Sequence, residues 1–129
     1  MQINNFEEIE SWKEARQLTN TIYNITNKSP FNKDYGLKDQ IRRASVSIMS
    51  NIAEGFDSNS NKSFINFLNY SFRSSSEVQS ILYVAIDQKY IHQNEFKALY
   101  ESCDKIKSLI GGLKRYLNNS IIKSNKTKR

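Results

Sequence analysis

Apolar residues recur at alternating steps of three and four along almost the whole chain, and few helix breakers interrupt them. Four segments carry this spacing. The first runs from about Phe6 to Asn27 with a seam of Ile9, Trp12, Ala15, Leu18, Ile22 and Ile25. The second carries Leu37, Ile41, Ala44, Ile48, Ile52 and Gly55; the third Phe64, Leu68, Ser71, Ser75, Val78, Leu82 and Ala85; the fourth Phe96, Leu99, Cys103, Ile106, Ile110, Leu113 and Leu117. Such spacing places each set on one side of an α-helix. With only four Gly and one Pro in 129 residues, an all-β fold lacks its turns. A seven-residue repeat in every segment, with short turns between, predicts an all-α, antiparallel up-down four-helix bundle with neighbours crossing near about 20°.

Local signals bound the segments. Asn5 is a candidate N-cap, with Glu7 and Glu8 at the positive end of the helix dipole. Pro30 stops the first helix, Gly55 closes the second, and Asp57-Ser58-Asn59-Ser60-Asn61 is a polar turn. The third helix ends near Tyr90. Residues 1–118 form one bundle domain, and 119–129 read as a basic, disordered C-terminal tail.

The second helix bears another stripe beside its seam: Gln40, Arg43, Ser47, Asn51 and Glu54. A turn centred near Ser58 or Asn59 puts Arg43 level with Ser74 and Gln40 level with Glu77, and a charge-assisted Arg43 to Glu77 bond is then within reach. These residues set register inside the bundle or across a subunit interface, or else touch a ligand directly. Small side chains at Ala44, Ser47, Ser50 and Ala53 make this the face for self-association.

The sequence resembles the short bacterial four helix bundle proteins, including those encoded in intervening sequences of large-subunit ribosomal RNA genes. The likeness rests on Trp12 and Ala15, Tyr35-Gly36-Leu37, Gln40-Ile41-Arg42-Arg43-Ala44, Ser47-Ile48, Asn51-Ile52-Ala53-Glu54-Gly55 and Ser74-Ser75-Ser76-Glu77. It covers nearly the whole chain. Pro30 precedes Phe31 where the family has the reverse order, and Arg73 stands where a small residue is usual. The resemblance implies a ring-shaped homo-oligomer, a pentamer, and makes an RNA connection reasonable.

Charge points the same way. The formal net charge is +6, and its distribution is lopsided. Lys105, Lys107, Lys114, Arg115, Lys123, Lys126, Lys128 and Arg129 follow Asp104 with no acid among them, whereas all thirteen acidic residues lie in the first 104 against eleven basic ones. A cyclic assembly repeats this cluster at one end and suits a polyanion, RNA ahead of DNA. Tyr116 is the sole aromatic there, so backbone charge and not base identity is what such a surface reads. The competing reading is that Lys114 and Arg115 complement the helix dipole and the tail merely solubilises a structural or protein-interaction module.

Other features argue against chemistry. Cys103 sits in a seam, and His92 lies in a turn with Glu95 three residues on, so neither has a metal-site or triad partner. Glu7, Glu8, Glu10, Glu14, Glu101 and Asp104 read as solvated faces. Gly111-Gly112 marks a close approach or bend and lacks the context of a phosphate loop. Enzymatic activity, a cofactor, a metal and a small-molecule substrate are not expected. With no apolar run near the ~20 residues of a membrane span, no secretory signal and a single Cys, a cytoplasmic protein is expected.

Overall fold

A computed structural model of the chain describes residues 3–127, and side chains over 3–120. A 3₁₀ turn at Phe6–Glu8 leads into α1 (Glu10–Thr26), a second at Phe31–Lys33 precedes α2 (Tyr35–Phe56), and α3 (Asn61–Asp87) and α4 (Gln93–Thr127) follow. Among the described residues there is no strand, and no helix is long and apolar enough to cross a membrane.

Side-chain acceptors fix the chain before the first turn and cap α2 and α3, whereas α1 begins after Ile9 with no side-chain cap. The Glu8 carboxylate accepts the backbone N–H of Asn4 and Asn5 at 2.7 and 3.0 Å. Asp34 accepts from the Leu37 N–H at 3.2 Å to cap α2, and the Ser60 hydroxyl accepts from the Ser63 N–H at 3.1 Å to cap α3. At the end of α3, Lys89 takes a left-handed φ of 62°. There the N–H of Tyr90 reaches the Ala85 carbonyl and that of Lys89 the Ile86 carbonyl, both at 2.9 Å.

The four seams form one core. Ile22, Ile41, Ile48, Ile52, Leu68, Val78, Leu82, Ile106 and Ile110 have no exposed surface. α2 packs on α3, α3 on α4, and α1 on both α2 and α4. Small hydroxyl residues in the seams let backbones approach and satisfy their own polar atoms. Thr19 donates to the Ala15 carbonyl at 2.8 Å, Ser75 to the Ser71 carbonyl at 3.0 Å, and Ser71 to the Ile48 carbonyl across the α2–α3 contact.

Gly55 works differently from the expectation. It is helical, followed by Phe56, and no glycine has a positive φ. A Cβ on Gly55 would stand 2.8 Å from Phe64 Cδ1 and 2.8 Å from Phe67 Cβ. The glycine therefore permits close approach of α3 and is not a left-handed cap. The fourth helix continues to Thr127, and the proposed tail from 119 falls largely outside the residues whose side chains are described.

Candidate functional site

The polar stripe of α2 divides in two. Ser47, Asn51 and Ser74 are half-buried and bonded together: Ser47 Oγ lies 2.9 Å from Ser74 Oγ, and Asn51 Nδ2 donates to Ser47 O and Oγ at 2.9 and 3.0 Å. Gln40, Arg43, Glu54 and Glu77 are exposed beside them. The expected register is corrected here. Ser74 meets Ser47, one helical turn along α2 from Arg43, and Arg43 Nε instead donates to Asp39 on its own helix at 2.8 Å. Helical side chains lean toward the N-terminus of their own helix. Where α2 and α3 run in opposite directions, the lean raises the α3 number that meets a given α2 residue, so counting outward from the turn falls short.

The neighbouring arginine, which the stripe omits, is the one held between helices. Arg42 Nε donates to Thr26 Oγ1 at 2.8 Å and Nη2 to Asn27 Oδ1 at 3.0 Å, with the guanidinium 4.3 Å from the Tyr23 ring centroid. A second tie joins the two loops at this end: Tyr90 OH donates to Asp34 Oδ2 at 2.9 Å, and the Tyr90 ring lies 5.0 Å from that of buried Phe31. The hydrogen bond to the Asp34 carboxylate holds the Tyr90 phenol above its usual range.

The basic stretch of α4 is also divided. Two residues apart is about 200° around a helix, so Lys105 and Lys107 face different neighbours. Lys105 Nζ pairs with Glu14 Oε1 on α1 at 2.9 Å, a bond that raises its pKa. Lys107 Nζ donates to Gln79 Oε1 on α3 at 3.1 Å and lies 4.9 Å from the Phe72 ring centroid. Gln79, 5% exposed, in turn donates to Asp104 at 2.8 Å. Lys114 is half-buried, and Arg115 is exposed with its guanidinium against Gly111 and Gly112. The structure does not bring these four into one patch. Lys123, Lys126, Lys128 and Arg129 lie outside the residues whose side chains are described.

The Gly111-Gly112 pair sits within a continuous α4. Only the Arg115 guanidinium comes near the space their side chains would fill, at 3.6 and 3.8 Å. No other helix of the described chain makes the close approach that the pair suggested. Cys103 is fully buried, and burial pushes its thiol up to about 12. His92 is exposed and its backbone N–H donates to Glu95 Oε1 at 2.8 Å. Among the described residues, no three His, Cys, Asp or Glu side chains are grouped to hold a metal.

The comparisons bear on the fold and the family. No curated protein matches the chain. A crystal structure of a protein of unknown function from the S23 ribosomal protein family of Bacteroides thetaiotaomicron shares the fold, with a TM-score of 0.75 at 23% identity, over 81% of this chain and 95% of that one. The family model described as 23S rRNA-intervening sequence protein matches residues 7–112, most of the four helices. The chain belongs to the 23S rRNA-intervening sequence protein family.

Proposed function

We propose that this protein is a non-catalytic, cytoplasmic helical bundle of up-down topology. In this reading it assembles into a homo-oligomeric ring of five chains and binds nucleic acid, RNA in preference to DNA, as an accessory or chaperone factor. The observation that carries the reading is the acid-free run of eight basic residues after Asp104, six of them within the last and longest helix. The family description, which ties its members to intervening sequences of 23S rRNA, makes RNA the first polyanion to test. The half-buried Ser47–Asn51–Ser74 network, with Gln40, Arg43, Glu54 and Glu77 around it, supports the α2–α3 face as the contact between copies.

A second reading, a structural or protein-interaction module, is favoured by a specific observation. Lys105 and Lys107 are paired with Glu14 and Gln79 on neighbouring helices. The two readings separate in a fluorescence-anisotropy titration of arbitrary RNA and duplex DNA across salt. Phosphate binding gives a log–log slope of about −0.9 per neutralised phosphate on duplex DNA and about −0.7 on single strands. Neutralising Lys123, Lys126, Lys128 and Arg129 flattens that slope. Absence of binding at low salt rejects the nucleic-acid reading in favour of the module.

A further inference from the structure

Cations and tyrosines alternate along the groove between α1 and α2, on the side of α2 away from Ser47 and Ser74. On α2, Tyr35, Lys38 and Arg42 follow at steps of three and four, so they share one side of the helix. On α1, Thr19 and Tyr23 do the same, and the Thr19 hydroxyl reaches the Ser45 carbonyl of α2 at 3.3 Å. Arg42 closes the groove by its bonds to Thr26 and Asn27.

The positive charge here is not answered within the described chain. Every acceptor that Arg42 meets is neutral: Thr26 Oγ1, Asn27 Oδ1 and the Tyr23 carbonyl. These bonds use Nε and Nη2, and Nη1 has no partner among the described residues. A guanidinium held this way is oriented but keeps its whole charge, and half-burial weakens the solvent screening of that charge. Lys38 stands one turn away at i, i+4, a spacing at which like charges disfavour each other. The neighbouring acids are engaged elsewhere. Asp39 pairs with Arg43, and Asp34 accepts from the Leu37 N–H and from Tyr90 OH. Glu7 lies at the far end, lining a hollow with Trp12 and Arg16.

Each of the two cations also lies over a tyrosine. The Arg42 guanidinium is 4.3 Å from the Tyr23 ring centroid and Lys38 Nζ is 5.3 Å from that of Tyr35. Tyr23 is 39% exposed and Tyr35 73%. Cations alone suit any polyanion, an acidic peptide included. Cations beside exposed rings suit a strand whose phosphates meet the charge while its bases stack, and a duplex hides the base faces that stacking needs.

We propose that this groove holds an unpaired stretch of RNA, with phosphates at Lys38 and Arg42 and bases against Tyr35 and Tyr23. The inference rests on the nucleic-acid reading above and adds a second surface to it. The basic run of α4 attracts any phosphate backbone, and the groove selects unpaired bases.

The test is fluorescence anisotropy of the full-length protein at low salt with a mixed-sequence RNA strand of about ten nucleotides, single and in a duplex. Tyr35→Ala weakens the single strand about tenfold, Tyr35→Phe changes it less than about twofold, and neither moves the duplex. Lys38→Gln lowers the single-strand salt slope by about 0.7. Thermal melts of the exposed-site variants match wild type, which separates lost contact from lost fold. Single-strand affinity within about twofold of wild type in Tyr35→Ala, with binding otherwise intact, overturns the groove and leaves the nucleic-acid reading standing. So does an equal loss on the duplex, or displacement of the strand by polyglutamate at the same charge concentration, which assigns the groove to an acidic protein. Absence of binding to either form by the wild-type protein overturns both.

Discussion

Arg42 and Arg43 are adjacent in sequence and opposite in consequence. Replacing Arg42 with Ala removes a bond to Thr26, which is fully buried, a bond to Asn27 and the cation–π contact with Tyr23. Hydrogen bonds from a charged donor contribute about 1.5–3 kcal/mol, and a cation–π contact at a partly exposed site about 0.5–1 kcal/mol. Thr26 keeps its own bond to the Ile22 carbonyl, and Arg42 is only half-buried. The lower half of that range applies, giving a loss of about 2 kcal/mol. Arg43, with a side chain 80% exposed and paired to an Asp39 that is 62% exposed, should lose about 0.5 kcal/mol or less. Urea unfolding at one fixed protomer concentration reads both, because oligomers gain stability with concentration. The Arg42→Ala midpoint should fall by about 1 M or more, and Arg43→Ala should hardly move. A Thr26→Val background should shrink the Arg42 effect through the shared bond. Equal losses for the two arginines, or a larger one for Arg43, would refute the clamp.

Gly55→Ala trades about 1 kcal/mol of helix propensity against a Cβ 2.8 Å from Phe64 and Phe67. Since overpacking costs about 1–3 kcal/mol, thermal melts should show net destabilisation; a gain in stability would mean that α3 yields freely. Alkaline pH should destabilise the fold. Folding raises the pKa of Cys103, by burial, from its ordinary 9.0 to about 12, and raises those of Tyr90, Tyr100 and Lys105. The stability linked to these groups is complete below their unfolded values and is lost as pH rises through the folded ones. Cys103→Ala should flatten the decline seen above about pH 9 in a pH series of urea melts.

Periodicity made the core readable. Every α4 seam position from Leu99 to Leu117 is buried, because the three-and-four spacing records which side of a helix leaves water. Pairing between helices was not readable in the same way. Ser47 meeting Ser74 depends on side-chain lean and turn geometry, and Arg42 reaching Thr26 depends on where α1 ends relative to α2. Net charge could be counted, but the counting could not tell that Lys105 would pair with Glu14 and Lys107 with Gln79, since those partners lie on other helices. Ser11, 2% exposed and with its Oγ unpaired among the described residues, gave no signal at all, because an unpaired hydroxyl is visible only once its surroundings are placed.

Native mass spectrometry of the intact protein, alone and with a short RNA duplex at low salt, tests most directly the claim that copies of one chain gather their cations at a common pole. The proposed assembly gives a five-chain species that takes up one duplex per ring, with the complex dissolving as salt rises. A monomer, or binding of one duplex per chain, would contradict it.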